Sequence, residues 1–213
     1  MDAVRVRIAN MRLVADNIPG YTYDDPSVPA SPVSLEELEQ LMISVGFTDV
    51  DRFELRLAGQ VLVDQTREIV TRWRSEIIAS IPHLAQHSRS PEGDRLPEYL
   101  AHSNLRFEQW ILDTCLRPYD QTWLNYQQEI AVRHTSLKKN QTDGVRSTDY
   151  VPYRHIAAFT TILIETIKPY LAAKGHSEEQ VEAMHRAWSK SLQLQLAIWA
   201  RPYMDLATTK IEW

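Results

Sequence analysis

The strongest constraint on this chain is its helical beat. Apolar residues recur at one-turn and two-turn spacings in long runs, and most of the prolines stand between the runs rather than inside them. From Thr48 to Ile81 the run carries Leu62, Ile69, Val70, Trp73, Ile77 and Ile78; Gly59 is expected to divide it and Pro82 to end it. A second run, Leu96 to Leu116, sets Tyr99, Ser103, Phe107, Trp110, Ile111 and Cys115 on one side and stops before Pro118. A third, about Asp120 to His134, aligns Trp123, Tyr126, Ile130 and His134. Two long helices are expected last, Pro152 to about Ala173 before Gly175, and Glu178 to about Ala200. SLEE at Ser34 reads as a capping box, with similar starts at Thr48 and Ser177, and HLAQHSRSPEGDR reads as a corner with one tight turn. Six glycines in 213 residues also argue against a sheet of short strands, so the fold class is all-α.

The remaining composition narrows the function. A net charge of −5, with lysines and arginines scattered among acids, gives no general attraction for a phosphate backbone, so nucleic acid is not expected as a partner. Cys115 is the single cysteine, which rules out an intrachain disulfide or a multi-cysteine metal site and suits a reducing cytoplasm. No apolar run reaches the ~18 residues of a spanning helix, and IAAFTTILIETIKPYLAA is broken by Glu165, Lys168 and Pro169. The first residues, MDAVRVRIANMRLVADN, lack a signal-peptide core, and a soluble cytoplasmic protein is the expectation. Residues 15–33 read as an irregular leader whose Tyr21 and Tyr23 could pack onto the body.

Familiar catalytic signatures are missing: there is no GxSxG, P-loop, GxGxxG after a strand, or HExxH. His83 and His87 are four apart, but they follow a proline in a corner and no third ligand is evident. His134 stands out because it ends an apolar stripe at the inner end of a helix, just where the chain turns basic and polar in KKNQTD. Globins hold haem iron with a histidine so placed, yet a satisfied core histidine would give the same pattern. Trp73 and Phe107 lie on two other apolar stripes and could wall a flat aromatic cofactor or simply fill a core; periodicity does not separate these cases.

Several longer stretches carry a resemblance. IPGYTYD (18 to 24), WILDTCLRPYDQTWLNYQQEIAVRHTSLKKNQTDGV (110 to 145) and IKPYLAAKGHSEEQVEAMHRAWSKSLQLQLAIW (167 to 199) with the following RPY resemble the protoglobins, single-domain relatives of the globin domains of globin-coupled sensors. The similarity runs from about Ile18 through nearly the whole chain. It implies a globin fold with an additional N-terminal helix, haem b, and reversible binding of O2, CO and NO at iron. Residues 1–33 would form the leader with the IPGY loop, and 34–213 the globin domain. By the resemblance His134 is the proximal ligand, Trp73 and Phe107 are the distal aromatic pair, and Arg106 is a propionate partner. Phe159 and Leu163 would line the cofactor, and the loop from Ile18 to Tyr21 would cover its edge. A homodimer through the last two long helices is implied too, and the apolar Phe159, Leu163, Ile167, Leu192, Leu194 and Trp199 accord with it.

The chain departs from the family pattern on the gas-binding side. Arg74 stands where a tyrosine commonly follows the distal tryptophan, so a guanidinium replaces a phenol that could hydrogen-bond O2. The corner HLAQHSRS replaces an aromatic-rich run, which puts His87 near the distal rim as a polar substitute or a sixth ligand. Gas binding or sensing is the functional class expected. The alternatives are a haem enzyme in which Arg74 or His87 assists peroxide, nitrite or NO chemistry, a sensor acting by protein contact, and a haem-free helical scaffold.

Overall fold

Local capping explains where the first helices begin. In the computed structural model, which describes residues 17–206, α1 (Leu35–Ser44) starts at a closed capping box: Glu37 N–H donates to Ser34 Oγ (3.1 Å) and Ser34 N–H to the Glu37 carboxylate (2.8 Å). Thr48 N–H donates to the Asp51 carboxylate (2.7 Å) at the start of α2 (Asp49–Leu62). Lys190 then reaches across to Asp51 (2.9 Å), which ties the last helix to the head of α2.

Gly59 does not divide this run. It sits inside α2, buried, where a Cβ would lie 2.7 Å from Leu116 Cδ2 and 2.9 Å from Cys115 Cβ. The missing side chain lets two helices close together, and the break falls instead at residues 63–65. α3 (Thr66–Thr71) continues into a π-helical turn (Arg72–Ile77) and a 3-10 turn (Ile78–Ser80). The expected corner holds more structure than one tight turn: α4 (Pro82–Ala85), a 3-10 turn (Gln86–Ser88), and an isolated antiparallel bridge between Arg89 and Arg95.

α5 (Pro97–Leu116), α6 (Gln121–Val132) and α7 (Tyr153–Ala172) follow the apolar runs closely. Asp120 caps α6 by accepting from Trp123 N–H (3.0 Å). α8 (Glu178–Leu206) outruns its expected end at about Ala200 and passes through Pro202, because the extra turns are anchored: Tyr203 Oη donates to the Val151 carbonyl (2.8 Å). α8 packs on α7, α2, α6 and α1, and α5 packs on α2 and α3. The described residues form eight α-helices and no extended strand, an all-α globin-like fold with an additional N-terminal helix.

The leader from Asn17 docks on α6. Tyr21 and Tyr23 meet the Tyr126 ring edge-on at 5.5 and 5.3 Å, and Ser31 N–H donates to Asn125 (2.9 Å). Leu163, Ile167, Leu192, Leu194 and Trp199 are buried within the chain's own core. Phe159, the sixth of the apolar residues expected at a dimer seam, is only partly buried and packs against that core. Among the described residues no helix is long and apolar enough to cross a membrane.

Replacing Gly59 by alanine sets two effects against each other. The helix gains up to about 1 kcal/mol in propensity, while overpacking a helix crossing costs about 1–3 kcal/mol. Contacts of 2.7 and 2.9 Å put steric cost ahead. Urea unfolding should give a lower midpoint for Gly59→Ala than for wild type; a higher one would mean that Leu116 yields freely.

Candidate functional site

The end of α6 builds the centre of the site. Past Val132 the chain leaves the helix, and His134 takes a turn position with its N–H on the Ala131 carbonyl (3.0 Å) and its own carbonyl accepting from Val151 N–H (2.7 Å). Its Nδ1 lies 2.8 Å from the Ile130 carbonyl, which can only accept, so Nδ1 carries the proton and Nε2 the lone pair. Burial pushes the imidazole down to about 4, against a smaller upward effect of the Ile130 hydrogen bond, which keeps the ring neutral near pH 7. Among the described residues Nε2 has no hydrogen-bond partner. One ring face stacks on Trp199 (centroids 6.5 Å, 22° between planes), which is steadied by its own N–H to Gln127 (2.9 Å).

His134 opens on a cavity of about 250 Å3. Tyr126 and Ile130 of α6, Phe107 and Trp110 of α5, and Phe159 and Leu163 of α7 give it aromatic and aliphatic walls. Trp73 is not among the lining residues. It stands fully buried behind Phe107 (centroids 5.1 Å) and commits its indole N–H to Thr166 (2.8 Å). The π-helical turn that carries it also presents Arg74, which does line the cavity. Arg74 donates from Nη2 to Ser103 Oγ (2.7 Å), lies 5.2 Å from the Phe107 ring centre, and has no acidic partner among the described residues. Burial lowers its pKa, with Arg106 adding to that and Tyr99 opposing it.

Two further arginines at the rim are fully engaged. Arg106 forms a forked pair with Asp143 (2.6 and 3.1 Å) and donates to the Pro19 carbonyl (2.6 Å). Arg133 pairs with Glu129 (2.7 Å) and donates to the Gly20 carbonyl (2.6 Å) and Thr22 (2.9 Å). The IPGY loop is thus strapped over the rim by its carbonyls. Gly20 sits at φ +70°, where a Cβ would fall 2.7 Å from Thr142 and 2.9 Å from Arg106. Tyr21 does not reach the cavity; it donates to Asp113 (2.7 Å) and supports Tyr126 from behind.

His87 also lines the cavity. Its Nδ1 is 2.7 Å from Thr148 Oγ1 and its Nε2 is 3.5 Å from His155 Nδ1, while its carbonyl accepts from Lys139 (3.0 Å). Burial, then Lys139, push it down to about 4. His83 packs against His155 (4.9 Å) instead of joining His87 at a metal, and no group of three His, Cys, Asp or Glu among the described residues could hold an ion.

His134, Arg74, Phe107, Arg106, Phe159, Leu163 and His87 are thus brought to one cavity, with Trp73 and Tyr21 one layer out. Sequence reasoning missed Trp199, Lys139 and Asp143 as members. Trp110 and Ile130 were signalled by helical spacing to Phe107 and His134, but nothing local announces Asp143.

A helical sandwich around an aromatic cavity, with the bare Nε2 of His134 facing into it, defines a globin-like protein. Residues 34–208 match the Protoglobin family model, and the chain belongs to that family. No curated protein matches it.

Of the three histidines that line the cavity, His134 and His87 are each pushed down to about 4 from an ordinary value of 6.5, and burial lowers His155 as well. The unfolded chain takes up protons as pH falls through about 6.5, and the native chain does not until about 4. Their stabilisation is therefore complete above about pH 6.5 and declines towards 4. Unfolding in urea at pH 7 and pH 5 should show a larger loss for wild type than for His87→Asn; equal losses would place the acid sensitivity elsewhere.

Proposed function

We propose that the chain holds haem b in the cavity through His134 Nε2 and binds diatomic gases reversibly, in gas carriage or sensing. The single observation that carries this is the Nδ1–Ile130 hydrogen bond, which leaves a neutral imidazole with a bare Nε2 among aromatic walls. Family membership supports the same cofactor. The donor chemistry fits the group: a bare Nε2 on His134 among aromatic and aliphatic walls. The volume, about 250 Å3, is under the ~300–1,000 Å3 common for organic ligand sites. A macrocycle therefore asks for more room than the enclosed part of the cavity offers.

When bound, the haem iron would supply the open coordination position at which O2, CO or NO attaches. The chain's residues do the rest. His134 gives one lone pair from a fixed ring, and Phe107, Phe159 and Leu163 keep water from the faces of the group. Trp73 backs Phe107 and limits how far it can retreat. Arg106 and Arg133 hold the IPGY loop over the edge; since each already has its carboxylate, they act as clasps more than as free cations for propionates. Arg74 is the donor available on the Phe107 side. The division into a leader, 1–33, and a globin domain, 34–213, belongs to this reading. The residues before Asn17 and after Leu206 lie outside the described part.

Absorption spectra of the ferric, ferrous and CO-treated protein test the assignment. Wild type should purify red with a histidine-ligated ferrous spectrum, and His134→Ala should lose haem or that spectrum. A variant with unchanged spectra would overturn the role of His134, and colourless wild type that takes up no added haem would overturn the cofactor.

A further inference from the structure

Beside the large cavity lies a second one of about 160 Å3 with an unusual charge make-up: Arg74, Arg89 and Arg95 line it and no acid does. None of the three makes an ion pair with a described residue. The hydrogen bonds they give are Arg74 Nη2 to Ser103 and Arg89 Nη1 to the Gly93 carbonyl (2.9 Å). Arg74 Nε is buried without a hydrogen-bond partner. Glu92 and Asp94 belong to the loop between the other two arginines, yet neither pairs with Arg89 or Arg95.

The backbone holds these like charges together. Arg89 and Arg95 face each other across the isolated antiparallel bridge, and like charges directly opposed in such a pair are destabilising. The bridge belongs to a loop closed by Ser90 N–H to the Asp94 carbonyl (2.9 Å), so the arginines cannot simply drift apart. A guanidinium presents a planar fork of donors that matches an oxyanion in pairs, and a counter-charge among three such forks removes the repulsion and supplies Arg74 Nε with an acceptor. Ser75 and Asn104 add neutral polar groups to the wall. At a liquid share of roughly 30 Å3 per water, the cavity has room for about five waters. That is room for a small inorganic anion.

We infer that this second cavity binds a small inorganic oxyanion, of the phosphate or nitrite class, between Arg74, Arg89 and Arg95. The site requires no cofactor, so it stands or falls separately from the haem assignment. Arg74 lines both cavities, and an anion in the smaller one engages the guanidinium that otherwise faces Phe107. Anion occupancy and the polarity of the larger cavity are thereby linked through one side chain.

Isothermal titration of the purified protein with inorganic phosphate, and separately with nitrite, at constant ionic strength in chloride tests this. At least one of the two should saturate at one anion per chain. Arg95→Ser, an exposed position whose loss spares the core, and Arg89→Ser should each weaken that binding about tenfold or more, the usual effect of losing a hydrogen bond to a charged group. Arg56→Ser, exposed on α2 and lining neither cavity, should leave it unchanged. Saturable binding with that pattern supports the site. Binding of neither anion, equal weakening by Arg56→Ser, or no weakening by Arg95→Ser and Arg89→Ser overturns it.

Discussion

An imidazole offers a lone pair to its surroundings only when its other nitrogen keeps the proton, and in this chain the Ile130 carbonyl makes that choice from 2.8 Å. The carbonyl is available because α6 ends at Val132, so Ile130 is among the last residues whose C=O has no partner further along the helix. The end of the helix, the proton on Nδ1 and the direction of Nε2 are therefore one event. Had α6 run a turn further, Ile130 would bond a backbone N–H and His134 would lose the acceptor that orients it. Val151 N–H on the His134 carbonyl and Trp199 against the ring hold the result in place from α7's approach and from α8.

The rim answers a different demand. Arg106 and Arg133 sit at the edge of an apolar cavity, where an uncompensated cation is costly, and each is satisfied twice, by a carboxylate and by a leader carbonyl. The carboxylates neutralise, and the carbonyls bring in chain from more than 80 residues away. The consequence is a lid fastened by hydrogen bonds more than by apolar packing, with Gly20 as the residue whose missing side chain admits Thr142 and Arg106. Such a fastening is independent of the core beneath it.

What was legible in the sequence follows the range of the interaction responsible. Caps at Ser34 and Ser177 close over three residues, and both were formed. The apolar stripes of α5, α6 and α7 repeat within one helix, and their boundaries came out within a few residues. Gly59 was misread because its reason lies on α5, at Leu116 and Cys115, and a glycine that permits a crossing looks locally like one that breaks a helix. The extension of α8 past Ala200 depends on Val151, and the π-helical turn at Arg72–Ile77 has no residue pattern of its own. For the candidate site, periodicity placed His134 and Phe107 facing inward, the family resemblance gave them roles, and neither reached Asp143, whose partner is 37 residues back.

Arg74 is the exception among the cavity arginines, and the contrast with Arg106 and Arg133 explains why it matters. Those two are locked by acids, Arg106 by Asp143 and Arg133 by Glu129 one turn back on α6, so their charge is spent whatever occupies the cavity. Arg74 has Ser103 and an aromatic face, neither of which cancels a charge. Its guanidinium stays charged at any ordinary pH, so burial cannot be relieved by giving up the proton. Relief must come from outside the described residues: a polar or anionic ligand on the Phe107 side, or an anion among Arg89 and Arg95 on the other. One fork of donors cannot turn to both at once. A gas-binding cavity walled in this way would have a distal polarity set by what sits next door, which a tyrosine fixed at the same position could not provide.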